Sequence, residues 1–225
     1  MPGLGLKGTL AAVAVALGAA WNLTGGDGPA QGADPAGAVS EPAAGELLIA
    51  SAEIQDPRFF HTVILILRHD RQGAFGIVIN RPVAERLIAQ LLDDAGGSAQ
   101  GGSPTGKGDV GSPIEGTVRV FAGGPVQPQL GFVVHSTDYR RAETMAVDTT
   151  LAMTASKEIL RDIGQHKGPA KALFALGYAG WGEGQLENEI ARHDWFTAPD
   201  DAELVFDEDR ATLGSHALAR RMREL

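Results

Sequence analysis

Two short apolar runs, close together in the sequence, constrain the fold of this chain more than any other feature. Thr62–Arg68 (TVILILR) and Ala74–Asn80 (AFGIVIN) are rich in β-branched residues, and their length is typical of strands. The turn-forming segment Asp70–Gly73 separates them, which is typical of a β-hairpin. Runs this apolar indicate buried strands, so the chain is expected to fold around the interior of a sheet.

The other apolar runs predict more strands and the helices that cover them. Further strands are predicted at Glu46–Ala50, Val118–Ala122, Gly131–Ser136, Lys171–Ala179 and Leu204–Phe206, with one or two more within Thr144–Thr154. The turn Gly123–Pro125 is expected to join Val118–Ala122 and Gly131–Ser136 into a second strand pair. Pro82 is expected to end the first hairpin, and helices are predicted at Val83–Asp94, Ala155–Gln165, Gln185–His193 and Asp209–Glu224. Clustered strands separated by single helices indicate an α+β domain with a mixed sheet.

Residues 1–45 differ in composition from the rest of the chain. Lys7 is their only basic residue, Thr9–Ala20 is apolar, and Gly, Ala, Pro and Asp dominate from there to Gly45. This layout is typical of a secretory signal peptide, and the apolar stretch is shorter than the roughly 20 residues that span a bilayer. We therefore expect a leader and linker before a domain at 46–225, with export to the periplasm. The alternative is an extension that is not exported, and a cytoplasmic protein.

Glycine-rich motifs in the chain do not predict a nucleotide cofactor. Ala95–Pro113 has seven glycines and is expected to be a low-complexity surface loop. Gly3–Gly8 and Gly106–Gly111 match G-x-G-x-x-G, and Gly101–Lys107 approaches a phosphate-binding loop. A nucleotide site needs a strand before such a motif and a helix after it, and none of the three has both.

Charge and cysteine content exclude several classes of function. The net charge is −9 and the pI is about 5.1, which argues against the phosphate backbone of a nucleic acid as the main partner. The chain has no cysteine, which excludes disulfides, zinc–cysteine sites, iron–sulfur clusters and thiol nucleophiles. Its six histidines show no metal-ligand spacing, so neither a metal site nor a cofactor is predicted.

Two histidines, His135 and His69, are the candidates for an acid or base. His135 and Ser136 with Asp138 suggest a catalytic triad, but adjacent residues of a strand point to opposite faces. We therefore expect a structural histidine at 135. A small-molecule hydrolase with a histidine–carboxylate pair is kept as an alternative, and it requires the two groups within hydrogen-bond reach inside a pocket.

The segment Gly177–Gln185 (GYAGWGEGQ) is the most informative one for function. It follows a predicted strand, carries four glycines with Tyr178 and Trp181, and precedes a helix whose Leu186 and Ile190 are expected to face inward. Glycines let a backbone approach a ligand closely, and free N–H groups at a helix start favour an anion. The alternative is a strained turn whose amides are satisfied by a nearby carboxylate.

Ordered blocks across the chain resemble one known family. They are Glu46–Ala50, Gln55–Phe59, Thr62–Ile64, His69, Gly73–Pro82, Gly123–Gln127, Gly131–Phe132, His135–Ser136, Ala175–Gly182, Gly184–Glu187 and Trp195. From about Gly45 onward the chain is similar to the YqgE/AlgH family of bacterial proteins. The resemblance implies a single α+β domain with a strongly bent, mixed sheet that folds towards a pseudo-barrel and is flanked by helices. It implies no agreed activity and no catalytic residues, although some members have been called transcriptional regulators.

The expected function is a non-enzymatic binding or regulatory domain with a protein or small-molecule partner. Its candidate surface joins three turns that are expected to converge. Arg81 would supply charge and Trp181 an apolar face. The candidate residues are Asn80, Arg81, Gly123, Gly124, Gln127, Tyr178, Gly180, Trp181, Gly182, Gly184 and Gln185. A hydrolase and a transcriptional regulator remain the alternatives.

Overall fold

A computed structural model describes residues 42–95, 113–199, 202–207 and 209–222 of the 225-residue chain. The leader predicted at 1–45 therefore lies outside the described residues as far as residue 41. The low-complexity loop predicted at Ala95–Pro113 lies outside them from residue 96 to residue 112.

The described strands belong to one curled sheet. They are β1 (Leu47–Ala50), β2 (Val63–Asp70), β3 (Gly73–Val78), β4 (Pro82–Leu87), β5 (Thr117–Ala122), β6 (Val126–Ser136), β7 (Thr144–Ala146), β8 (Leu151–Thr154), β9 (Ala172–Gly182) and β10 (Trp195–Ala198). Their order is β10–β1–β2–β3–β9–β6–β8–β7, and β4–β5 joins this path through β9.

The long strand β9 is the centre of the sheet. One of its edges pairs with β6 in antiparallel register. On the other edge, Phe174–Leu176 pairs with β5 in parallel, and residues 179–182 pair with β3 in antiparallel register. Because the neighbour changes along a single edge, the sheet curls into a half-barrel. The predicted α+β class with a bent, mixed sheet is confirmed.

The helices cover this sheet in separate patches. They are α1 (Ile88–Ala95), α2 (Lys157–Gly164), α3 (Gln185–Ala191), α4 (Ala202–Phe206) and α5 (Leu213–Arg221). Val205 and Leu213 of α4 and α5 are fully buried in the largest apolar cluster. Leu186 and Ile190 of α3 are buried against the opposite face, as predicted. No helix in the described ranges is long and apolar enough to cross a membrane.

The first hairpin is confirmed, but the helix predicted at Val83–Asp94 is wrong in its first half. Residues 82–87 form β4, which pairs with β5, and the helix begins only at Ile88. Pro82 therefore starts a strand and does not end the structure there. The exposed fractions are 62% for Val83 and 48% for Leu87, so these two apolar side chains do not face the core.

Three further expectations need correction. Strands β5 and β6 follow each other across the turn at Gly123–Pro125 but are not paired, because each hydrogen-bonds to a different edge of β9. Leu204–Phe206, expected as an edge strand, lies in helix α4. The strand Trp195–Ala198 was not predicted, and it completes the sheet by pairing with β1.

Candidate ligand groove

The three turns expected to form one surface do converge at the backbone level. The Ala122 N–H donates to the Arg81 carbonyl at 2.9 Å, and the Gly123 N–H donates to the Leu176 carbonyl at 2.7 Å. A Cβ on Gly124 would overlap the backbone of Tyr178, and its φ of +156° lies in the region that favours glycine. These glycines therefore let two chain segments pack backbone to backbone.

The partly exposed side chains of Asn80 and Arg81 both hydrogen-bond to a neighbouring loop. The Asn80 side chain accepts the Val63 N–H and donates to the His61 carbonyl, at 2.9 and 2.8 Å. The Arg81 guanidinium donates to the carbonyls of Arg58 and Phe60, at 2.5 and 2.7 Å. Both side chains thus fix the segment that contains the short 3₁₀ turn Pro57–Phe59.

That fixed loop forms one wall of a concave site, here named the Glu189 groove, with a volume of about 260 Å³. The opposite wall comes from α3 and the start of β10, and the ends of β6 and β9 complete it. Its lining residues are Ile54, Gln55, Asp56, Arg58, Phe59, Pro125, Val126, Gly180, Trp181, Gln185, Glu189, Arg192, Asp194 and Trp195. Of the predicted site residues, Gly180, Trp181 and Gln185 line the groove.

The carboxylate of Glu189 is held in the groove by three neutral donors. The indole N–H groups of Trp181 and Trp195 both donate to Oε2, at 2.7 and 2.8 Å. The Gln185 amide donates to Oε1 at 2.9 Å, and its own oxygen accepts the Gly182 N–H at 3.1 Å. The two rings are 7% and 3% exposed, so burial fixes both indole donors and, through them, the carboxylate.

The other charges of the groove are paired within it. Arg58 contacts Asp56 at 2.6 Å, and Arg192 contacts Asp194 at 2.8 Å. The hydrogen bond from Arg58 lowers the pKa of the Asp56 carboxyl. Glu189 takes part in none of the ion pairs formed by the described residues. The groove therefore has three carboxylates against two guanidinium groups, a net charge of −1.

Aromatic rings surround this carboxylate. Trp195 makes edge-to-face contacts with Trp181 and with Phe59, at centroid distances of 6.0 and 5.6 Å. The guanidinium carbon of Arg58 lies 6.0 Å from the centroid of Phe59. The groove thus combines three aromatic side chains with a carboxylate, Glu189, that has no cationic partner within the described part of the chain.

The remaining predicted site residues do not line the groove, although Gln127 and Gly182 directly follow lining residues in the sequence. Tyr178 packs its ring against Phe75 and Phe132 in the main core. Gln127 is exposed near the start of β6 with a φ of +44°. Gly182 ends β9, and Gly184 precedes α3 with a φ of +69°. The segment from Gly177 was expected to follow the strand, but its first six residues belong to β9, which ends only at Gly182.

His135 is a structural histidine in a chain of neutral hydrogen bonds. It is fully buried, its Nδ1 lies 2.9 Å from the Ser136 carbonyl, and its Nε2 lies 2.9 Å from Thr154 Oγ1. Thr154 Oγ1 in turn lies 2.8 Å from Thr144 Oγ1. Burial lowers the pKa of His135. The Ser136 hydroxyl donates instead to Asp138, so His135 and Ser136 share no proton.

His69 does pair with a carboxylate, but both of its ring nitrogens are engaged. Nε2 lies 2.8 Å from Glu187 Oε1, and Nδ1 lies 2.8 Å from the Pro42 carbonyl. Its side chain is 5% exposed, and it does not line the groove. Since two acceptors face the ring, His69 links the start of the described domain to α3 and offers no nitrogen to a substrate.

Sequence reasoning missed Glu189, Trp195 and the paired residues of the groove walls as site residues. A weak signal was present, because Glu189 follows Gln185 by one helical turn and therefore lies on the same face of α3. The blocks Gln55–Phe59 and Trp195 supported the family resemblance, but nothing in their spacing placed them beside α3.

Comparison with known proteins identifies relatives over most of the chain. The profile of a family described as AlgH-like matches residues 47–224. A UPF0301 protein of Jannaschia sp. is 44% identical over 165 residues, which are 72% of this chain and 80% of the relative. A UPF0301 protein of Rhodospirillum rubrum is 41% identical over 163 residues, which are 72% and 79% of the two chains.

Two solved structures share the fold. The solution structure of the AlgH protein from Pseudomonas aeruginosa has a TM-score of 0.64 and 32% identity, and covers 85% of this chain and 93% of that one. A crystal structure of a Corynebacterium diphtheriae protein has a TM-score of 0.59 and 21% identity, with 80% and 88% covered. The second likeness concerns the fold alone.

Proposed function

The chain belongs to the AlgH-like family, and from this premise we propose that it is a non-enzymatic binding protein whose ligand occupies the Glu189 groove. The observation that carries the proposal is the carboxylate of Glu189, fixed by two buried indole donors inside a concave site. Ligand sites are typically concave and largely apolar, with a few oriented polar groups. The groove is concave and holds an oriented carboxylate beside three aromatic side chains, although half of its lining residues are polar or charged.

The loop wall supports the same proposal. Arg81 and Asn80 use four hydrogen bonds to hold the segment next to the groove in one conformation. A preformed wall reduces the entropy that a ligand must overcome on binding. The sequence-predicted residues Asn80 and Arg81 would then act from behind the binding surface, and Gly180, Trp181 and Gln185 would act at it.

The hydrogen bonds of the two candidate histidines support a hydrolase less than they support a binding protein. The hydrolase alternative uses a histidine–carboxylate pair, and its histidine must present a free nitrogen to the substrate. His69 has both nitrogens engaged, and His135 is fully buried with both nitrogens engaged. A regulatory role is compatible with ligand binding, whereas a role in transcription rests on the resemblance alone.

We also propose that the protein acts after export. This proposal rests on the composition of residues 1–45 and is independent of the groove. Sequencing the mature N-terminus after expression in the native host tests it: a start beyond residue 20 supports export, and a start at Met1 or Pro2 contradicts it.

A fragment screen observed by protein NMR tests the groove proposal. Binding fragments should shift the indole N–H signals of Trp181 and Trp195 and the amides of Gln55 and Gln185. Gln55→Tyr places a large ring at the exposed wall and should weaken this binding. Gln72→Tyr, at an exposed turn outside the groove, is the matched control and should bind as the native chain does.

The proposal is contradicted if fragments cluster elsewhere on the domain. It is also contradicted if the two tyrosine variants weaken groove shifts equally.

A further inference from the structure

From the charges and rings of the Glu189 groove, we infer that its ligand carries an aliphatic ammonium group, which sits between the Glu189 carboxylate and the aromatic wall. The inference rests on the proposed binding function and adds the chemical class of the ligand. Such a group occurs in free small ammonium compounds and at the end of a lysine side chain, and the groove addresses the chemistry that they share.

The volume of the groove limits the size of its ligand. Pockets for drug-sized ligands have volumes of about 300–1,000 Å³. The Glu189 groove, at about 260 Å³, lies just below this range. It therefore suits a small ligand or one inserted side chain, and it is too small for a dinucleotide.

The net charge of the groove residues favours a cationic ligand. Among the described residues, Glu189 receives hydrogen bonds from neutral donors only, two indoles and one amide. Its Oε2 takes two of these hydrogen bonds and its Oε1 takes one, which leaves Oε1 able to accept another. The nearby cations are engaged, since Arg58 contacts Asp56 and Arg192 contacts Asp194. A cationic ligand would balance the remaining charge of −1.

The aromatic residues of the groove walls also favour a cation. Ammonium groups are attracted to the faces of tryptophan and phenylalanine within about 6 Å of the ring centroid. Phe59, Trp181 and Trp195 all line the groove and form a contiguous aromatic set through Trp195. Arg58 already lies over Phe59, which shows that this ring accepts a cation on one face.

An anionic ligand fits less well. Among the described residues, Arg58 and Arg192 are the cations that line the groove, and an anion would have to displace a carboxylate from one of them. It would also be repelled by Glu189. The arginines serve more simply as partners that fix Asp56 and Asp194 in the walls.

The test is a titration of the full chain with matched probes, followed through indole ¹⁵N–¹H signals. Choline carries a quaternary ammonium, and 3,3-dimethylbutan-1-ol is its neutral counterpart of the same shape. Nα-acetyl-lysine N-methylamide represents a side chain, and methyl phosphate represents an anion. Trp181→Phe and Trp195→Phe assign the indole signals among the three tryptophans of the chain.

We expect choline or the lysine amide to shift both indole signals, with affinity at least about tenfold above that of the neutral alcohol. A preference between choline and the lysine amide distinguishes a free ammonium compound from a protein side chain. Glu189→Gln should remove most of the cation preference. Glu183→Gln removes a nearby charge outside the groove and should leave it intact.

If Glu189→Gln fails to fold, Phe59→Leu removes part of the aromatic wall without touching the carboxylate and should lower choline affinity severalfold. Equal binding of the neutral alcohol, or tighter binding of methyl phosphate, would overturn the ammonium assignment but leave the groove a binding site. Groove binding by screened fragments with no response to either ammonium probe would do the same. Fragments that bind only elsewhere would instead overturn the proposed function itself.

Discussion

Replacing Glu189 by leucine should destabilise the protein strongly, because it leaves two buried indole donors without an acceptor. In the native chain both indoles donate to the same carboxylate oxygen, at 2.7 and 2.8 Å. A buried donor left unpaired costs about 1–3 kcal/mol. Two such donors give an expected loss of about 2–6 kcal/mol, out of a typical total stability of about 5–15 kcal/mol.

Glu189→Gln separates this effect from the loss of charge. Its amide oxygen can still accept an indole N–H, so we expect a loss of only about 1–2 kcal/mol. Urea denaturation followed by circular dichroism measures both values, and an unchanged m-value shows that the variants unfold from comparably compact states.

A double-mutant cycle with Trp195→Phe isolates the contact. In the Glu189→Leu background the ring no longer has an acceptor to lose, so Trp195→Phe should cost about 1–3 kcal/mol less than in the native chain. A coupling energy below about 0.5 kcal/mol would refute the reasoning, since it would mean that the two side chains act independently.

Three other predictions follow from the structure. The free energy of unfolding should fall as the pH drops below 6.5, because burial lowers the pKa of His135 in the folded state and the unfolded chain then binds the proton more readily. Urea denaturation at pH 7 and pH 5 measures this loss, which should be smaller in His135→Gln than in the native chain. An equal loss in both proteins would contradict the prediction. Gly124→Ala should lower the free energy of unfolding by at least about 3 kcal/mol, because its Cβ would overlap the backbone of Tyr178. Gly182→Ala is the control: the nearest atom to its Cβ is 4.0 Å away, so thermal stability should change little. Similar losses in the two variants would argue against the close backbone approach at Gly124. Arg81→Gln should lower the free energy of unfolding by about 1–3 kcal/mol and weaken fragment binding in the groove, because two loop carbonyls lose their donor. Arg71 is exposed, so Arg71→Gln should match the native chain in both stability and fragment binding.

Sequence patterns predicted the parts of the fold that depend on local residues. The hairpin of β2 and β3 and the inward face of α3 follow from short apolar runs and their spacing. The helix predicted from Val83 was wrong because residues 82–87 pair with β5, which comes from a later part of the chain. Helical spacing of apolar residues cannot reveal such a partner.

The site was predictable to a similar extent. Gly180, Trp181 and Gln185 were expected from the glycine-rich segment, and they do line the groove. Glu189 and Trp195 were missed as site residues because their meeting depends on β10 returning to pair with β1 beside α3. Arg81 and Asn80 were expected at a ligand, but their side chains reach back to a loop that only the tertiary fold brings near.

A crystal structure of the full chain with the tighter-binding ammonium probe, choline or the lysine amide, tests the central claim most directly. We predict the ammonium nitrogen inside the Glu189 groove, nearest to Glu189 Oε1 and within about 6 Å of the ring centroid of Phe59, Trp181 or Trp195. An empty groove at a concentration of this probe that saturates the indole shifts, or the probe bound only at another surface, would contradict the account.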